Sequence, residues 1–151
     1  MEIFENLIDE ALSKVSGLNI YTFAIYHDHE SGFVSVCIDT EENSKLKLEK
    51  SNEFSMKYFR DNVRKGDLEQ AMLWSANIGR NLSLGDFSAV NISAKEINDI
   101  STDNSFYLGM VNAIEKKASK ILERSTHGKS LIFCCSTADD EVGLAWAPGS
   151  A

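Results

Sequence analysis

Apolar positions along the chain follow two rhythms. Over residues 2–15, Ile3, Phe4, Leu7, Ile8, Ala11, Leu12 and Val15 recur at steps of three and four, one stripe that predicts an amphipathic helix closed by Gly17. The rhythm then shortens. Between Ile20 and Tyr26 only Thr22 interrupts the apolar and aromatic residues, which is too dense for a half-exposed strand and predicts cover on both faces. Val34, Val36 and Ile38 alternate with Ser35 and Cys37, and Asp28, Glu30, Ser31 and Gly32 lie between the two runs, so residues 20–38 predict an antiparallel hairpin.

Helical spacing returns over 41–65, where Leu48, Met56, Phe59 and Val63 carry a narrow apolar side. Thr40 is placed to cap this helix, Glu41 and Glu42 suit its first turn, and Arg60, Arg64 and Lys65 suit its last turn before Gly66. Asp67-Leu68-Glu69-Gln70 has the spacing of a capping box and predicts a third helix over 67–78, with a strand across 71–78 as the competing reading. Residues 80–104 are rich in Asn, Ser, Asp and Gly and predict a surface crossing. Within it, 87–92 suits an edge strand, and Ser93-Ala94-Lys95-Glu96 suits the start of a short helix through Ile97 and Ile100. The clearest stripe, from Phe106 to Leu122, predicts a helix over 103–124 with a basic far end, closed by Gly128. A second hairpin is expected over 130–147, turning at Ala138-Asp139-Asp140-Glu141, and residues 147–151 read as a frayed end. The expected fold is α+β: an antiparallel sheet of two hairpins, 20–38 and 130–147, packed against helices 2–15, 41–65, 67–78 and 103–124 in a single globular domain over 1–151.

Charge narrows the choice of partner. The 151 residues carry 15 Lys+Arg against 23 Asp+Glu, a net charge of -8 that repels nucleic-acid phosphates and anionic membranes and attracts a basic protein. The first residues are acidic and amphipathic, unlike a secretory signal, and no apolar run approaches the roughly 20 residues that cross a bilayer, so a cytoplasmic protein is expected. Cys37, Cys134 and Cys135, an odd number within predicted strands, read as reduced core thiols.

Reactive groups are sparse. His27-Asp28-His29-Glu30 has the donor types of a metal site, yet His127 is the only other histidine, and a solvated hairpin turn is the better reading. Cys134 and Cys135 are adjacent, so in a strand they face opposite sides and do not serve one site. Gly128-Lys129-Ser130 lacks the first glycine and the following helix of a phosphate-binding loop, and no serine sits in a hydrolase elbow. No catalytic residue, metal or cofactor is therefore assigned. The acidic residues remain: Asp28 and Glu30 at one end of the first hairpin, and Asp39, Glu41 and Glu42 at the other, about 20 Å away at 3.3 Å per residue. Asp139, Asp140 and Glu141 extend whichever end the second hairpin presents. These eight are the candidate partner-binding residues.

Tyr21-Thr22-Phe23-Ala24-Ile25-Tyr26 followed by Asp39-Thr40-Glu41-Glu42 resembles the paired F-A-L-Y and N-T-E-E type strands of a bacterial domain-of-unknown-function family, the DUF4303 type. The leading helix and Trp74 are similar too. The resemblance implies no catalytic residue; some members look like immunity proteins, which bind and block a toxin in the cytosol. The leading expectation is thus a protein-binding module, an immunity protein neutralising a basic toxin. The alternative is an enzyme or a small-ligand or metal-binding protein with a pocket near Tyr26, His27, Trp74 and Trp146, and a homo-oligomer is compatible with either.

Overall fold

The computed structural model describes residues 2–149, so Ser150 and Ala151 of the expected frayed end lie outside the described residues. In chain order the elements are α1 (Glu2–Lys14), β1 (Thr22–Asp28), β2 (Phe33–Asp39), α2 (Glu41–Arg64), α3 (Leu68–Ala71), β3 (Ala89–Glu96), α4 (Asn104–Leu122), β4 (Ile132–Cys135) and β5 (Leu144–Trp146). They divide into two compact units, Glu42–Leu82 and the residues on either side of it. None of the described helices is long and apolar enough to cross a membrane.

The first unit is built on a five-stranded sheet in the order β3-β2-β1-β4-β5. Both expected hairpins form, β1 with β2 and β4 with β5, but β1 and β4 join them as parallel neighbours and β3 adds a fifth strand. The sheet is therefore mixed, mostly antiparallel with one parallel seam, rather than two simple hairpins. One face carries Phe23, Ile25, Val36, Ile38 and Phe133 beneath α1 and α4. On the other, Ala24, Cys37 and Cys134 meet Leu84 and Phe87. This two-sided cover is why β1 reads as an unbroken apolar run.

The strand reaching Glu96 corrects the short helix expected from Ser93. A local capping pattern is worth about 1 kcal/mol, whereas the ladder pairs Ala94 with Ser35, Lys95 with Val34 and Glu96 with Phe33. Ser93, buried, spends its hydroxyl on the Leu7 carbonyl of α1 at 2.7 Å instead of on a helix start. The β2–β3 register slips between Val36 and Ile38, where Asn91 turns to φ 51°. There its side chain accepts from the Tyr26 hydroxyl at 2.9 Å.

In the second unit α2 matches its expected span and ends at a left-handed Gly66, whose N–H reaches the Val63 carbonyl at 3.0 Å. The helix expected over 67–78 is shorter. Asp67 caps it by accepting from the Gln70 N–H at 3.0 Å, but it stops at Ala71, and 72–78 is neither helix nor strand. Two contacts hold that segment in place. Trp74 stacks on Tyr58 with ring centres 4.9 Å apart, and the Asn52 side chain brackets Asn77, accepting from its N–H at 2.8 Å and donating to its carbonyl at 3.0 Å.

Candidate functional site

The parallel seam decides which loops meet. Because β4 runs with β1, its C-terminal end lies beside the β1–β2 turn, and the register Phe33↔Glu96 brings the end of β3 to the same place. Both α1 and α4 start at this end, since Phe4 and Phe106 pack edge to face at 5.2 Å and Phe106 meets His27 at 5.3 Å. One end of the sheet thus gathers Asp28 and Glu30 from the first turn with Asp139, Asp140 and Glu141 from the β4–β5 loop. Glu30 and all three loop acids are exposed.

The loops are tied together rather than merely adjacent. Ser136, buried at the end of β4, accepts from the His27 N–H at 2.9 Å and donates to the Glu141 carbonyl at 2.9 Å. Two tyrosines register the shared field: burial raises the Tyr26 phenol above its ordinary value, with Cys37, Asp28 and Glu141 adding to it, and burial then Asp139 do the same to Tyr107. Asp28 also organises its own turn, accepting from the N–H groups of Glu30 and Ser31 at 3.0 and 3.2 Å; the Ser31 hydroxyl first, and then these bonds, hold its carboxyl below the usual range.

Three further acids join this end that the sequence reading had not singled out. Glu96 and Asp99 edge an open hollow with Glu2 and Lys95 above an apolar floor of Ile3 and Ile100. Asp103 caps α4 by accepting from the Phe106 N–H at 3.2 Å. Nothing local marks Glu96 and Asp99, because they reach the site only through pairing between β2 and β3. Asp103 begins the helix expected over 103–124, and its place at this end of the sheet follows only from the packing of α4. Phe33, 38% exposed, adds an apolar surface within the charged rim.

The histidines occupy the middle. His27 is buried on the helix-covered face, its ring 4.2 Å from that of His29 and its Nδ1 3.4 Å from the Tyr107 hydroxyl. Burial, and then His29, hold His27 below the usual imidazole value against a smaller upward pull from Asp28. Among the described residues no group of three His, Cys, Asp or Glu side chains is set to hold a metal ion.

The opposite end does not match the expectation. Asp39 is fully buried, accepting from the Ser88 N–H and hydroxyl at 3.1 Å each, so it anchors the strand before β3 and cannot face a partner. Glu41 lies 3.1 Å from His127 Nδ1, and Glu42 opens the second unit. The positions of the alternative pocket that lie in the first unit are not assembled in one place. Tyr26 and His27 are successive on β1 and face opposite sides, Trp146 packs on Phe133 and donates to Glu115, and Trp74 belongs to the second unit. The same alternation separates Cys134 and Cys135, as expected, and all three cysteines are free and buried. Comparison of the chain with protein-family models, curated proteins and solved structures finds no match.

Proposed function

We propose that this chain is a protein-binding module whose acidic sheet end receives a basic partner, and that it acts as an immunity protein by covering the working surface of a basic toxin. The observation that carries the reading is the sheet register, in which the parallel β1–β4 seam and the β2–β3 pairing bring carboxylates from the β1–β2 turn, the β4–β5 loop and the end of β3 to one end around an exposed Phe33. Converging charge of one sign raises the encounter rate with an oppositely charged partner and suppresses wrong ones. An exposed aromatic inside the rim supplies the desolvated contact that charge alone does not. The likeness of the 21–26 and 39–42 segments to a family with immunity-like members supports the same reading.

The test uses the protein encoded beside this gene, purified and titrated into the chain by calorimetry at low and high salt. Binding is expected to weaken with salt and to fall at least about tenfold when Asp139, Asp140 and Glu141 are changed together to Asn, Asn and Gln. An affinity indifferent to both salt and the triple substitution would refute the acidic end as the binding surface.

A further inference from the structure

The second unit carries a different charge pattern. Ser44 is the one buried residue of α2 among those described, and Met56, Phe59 and Val63 stay 56%, 42% and 41% exposed. These three form one strip of the helix. Beside it runs a second strip of Glu49, Glu53, Arg60 and Arg64, and the two together span about 140° of the circumference.

The order of charges along that strip is mirrored. Glu53 and Arg60 stand equally far from the midpoint between Met56 and Lys57, and so do Glu49 and Arg64, with the acids on one side and the bases on the other. Within one helix Glu53 and Arg60 are two turns apart, about 10 Å, too far to pair. A two-fold axis near the midpoint removes that separation, because it lays Glu53 beside Arg60 of a second helix.

We propose that two copies of this chain associate through α2 as an antiparallel helix pair. Met56 of one copy packs on Phe59 of the other, and Glu53 meets Arg60 of the second copy along the flank. The heptad spacing fits: residues 56 and 63 are a positions, 52 and 59 are d positions, and an antiparallel pair layers a against d. A parallel pair would set Glu53 and Arg60 against Leu48 and Ser55 of the other copy, leaving both charges without an opposite partner. A two-fold interface must be self-complementary, and this strip is.

Sedimentation of the full chain over a concentration series is expected to show a monomer–dimer equilibrium. Glu53→Arg alone and Arg60→Glu alone should each weaken association by at least about tenfold, since each sets like charges together twice. Mixing these two variants should restore dimers, because each altered residue then faces its opposite in the other chain. Carrying both changes in one chain should restore the homodimer, and that variant serves if a single change lowers helix content by circular dichroism. A parent chain that stays monomeric, reversals without effect, or a mixture and double variant that remain monomers would each overturn the proposal.

Discussion

Replacing one isoleucine by alanine at two positions separates the core from the surface quantitatively. Ile25 is 0% exposed in the middle of β1, whereas Ile78 is 96% exposed in the second unit. Ile25→Ala removes three carbons, which at about 0.8 kcal/mol each come to about 2.4 kcal/mol of lost transfer free energy. The cavity then adds to the cost, because the flanking residues cannot close in: Val36 and Cys135 are the register partners of Ile25 and are held by ladder hydrogen bonds on both sides. A destabilisation of about 3–4 kcal/mol is expected, out of the roughly 5–15 kcal/mol typical of a folded chain. At about 2–4 °C per kcal/mol for a chain of this length, the melting temperature should fall by about 6–16 °C. Ile78→Ala should stay within about 0.5 kcal/mol. Urea titration followed by circular dichroism measures both, provided the slope m is unchanged. If Ile25→Ala cost under about 1 kcal/mol, or Ile78→Ala cost as much as Ile25→Ala, the two-sided burial of β1 would be wrong.

Three other outcomes follow from local chemistry. The depressed basicity of His27 means that the unfolded chain takes up a proton near pH 6.5 before the folded one does. Stability should therefore be full above that pH and decline on acidification through it, and His27→Gln should flatten the decline in urea titrations between pH 7 and 5; an unchanged slope would show that His27 is not the group responsible. Asp103→Ala should cost about 1 kcal/mol by removing the α4 cap, measured by thermal melting, while Asp103→Asn should cost much less. Burial pushes the Cys37 and Cys135 thiols up to about 11, so at pH 8 only about one in a thousand would be thiolate. A disulfide reagent should leave the native chain unlabelled and find three thiols after guanidinium, and rapid native labelling would contradict the burial.

Local patterning made α1, α2, α4 and both hairpins legible, since each is announced by its own spacing and end residues. What escaped depended on distant neighbours. Ser93 to Glu96 satisfies a helix-start rule on its own, and only the presence of β2 alongside turns it into a strand. The helix expected over 67–78 stops at Ala71 because an aromatic stack and the Asn52 bracket hold the following segment out of helical geometry. At the candidate site, Asp28, Glu30 and the 139–141 acids were identified singly. Their meeting rests on a parallel pairing between residues more than a hundred positions apart, which no periodicity records. Asp39 was misjudged for the converse reason: nothing in its neighbours marks an aspartate as buried until Ser88 arrives to bond it.

The borders of the sheet constrain how this molecule meets others. β5 is three residues long and is followed closely by Pro148, while β3 on the far side is kinked at Asn91 and presents Lys95 to solvent. Short, bent or charged margins of this kind resist the addition of a further strand from outside, the route by which open sheets polymerise into fibrils. Contact with other molecules is thereby left to side chains on turns and helices rather than to backbone pairing along a sheet margin.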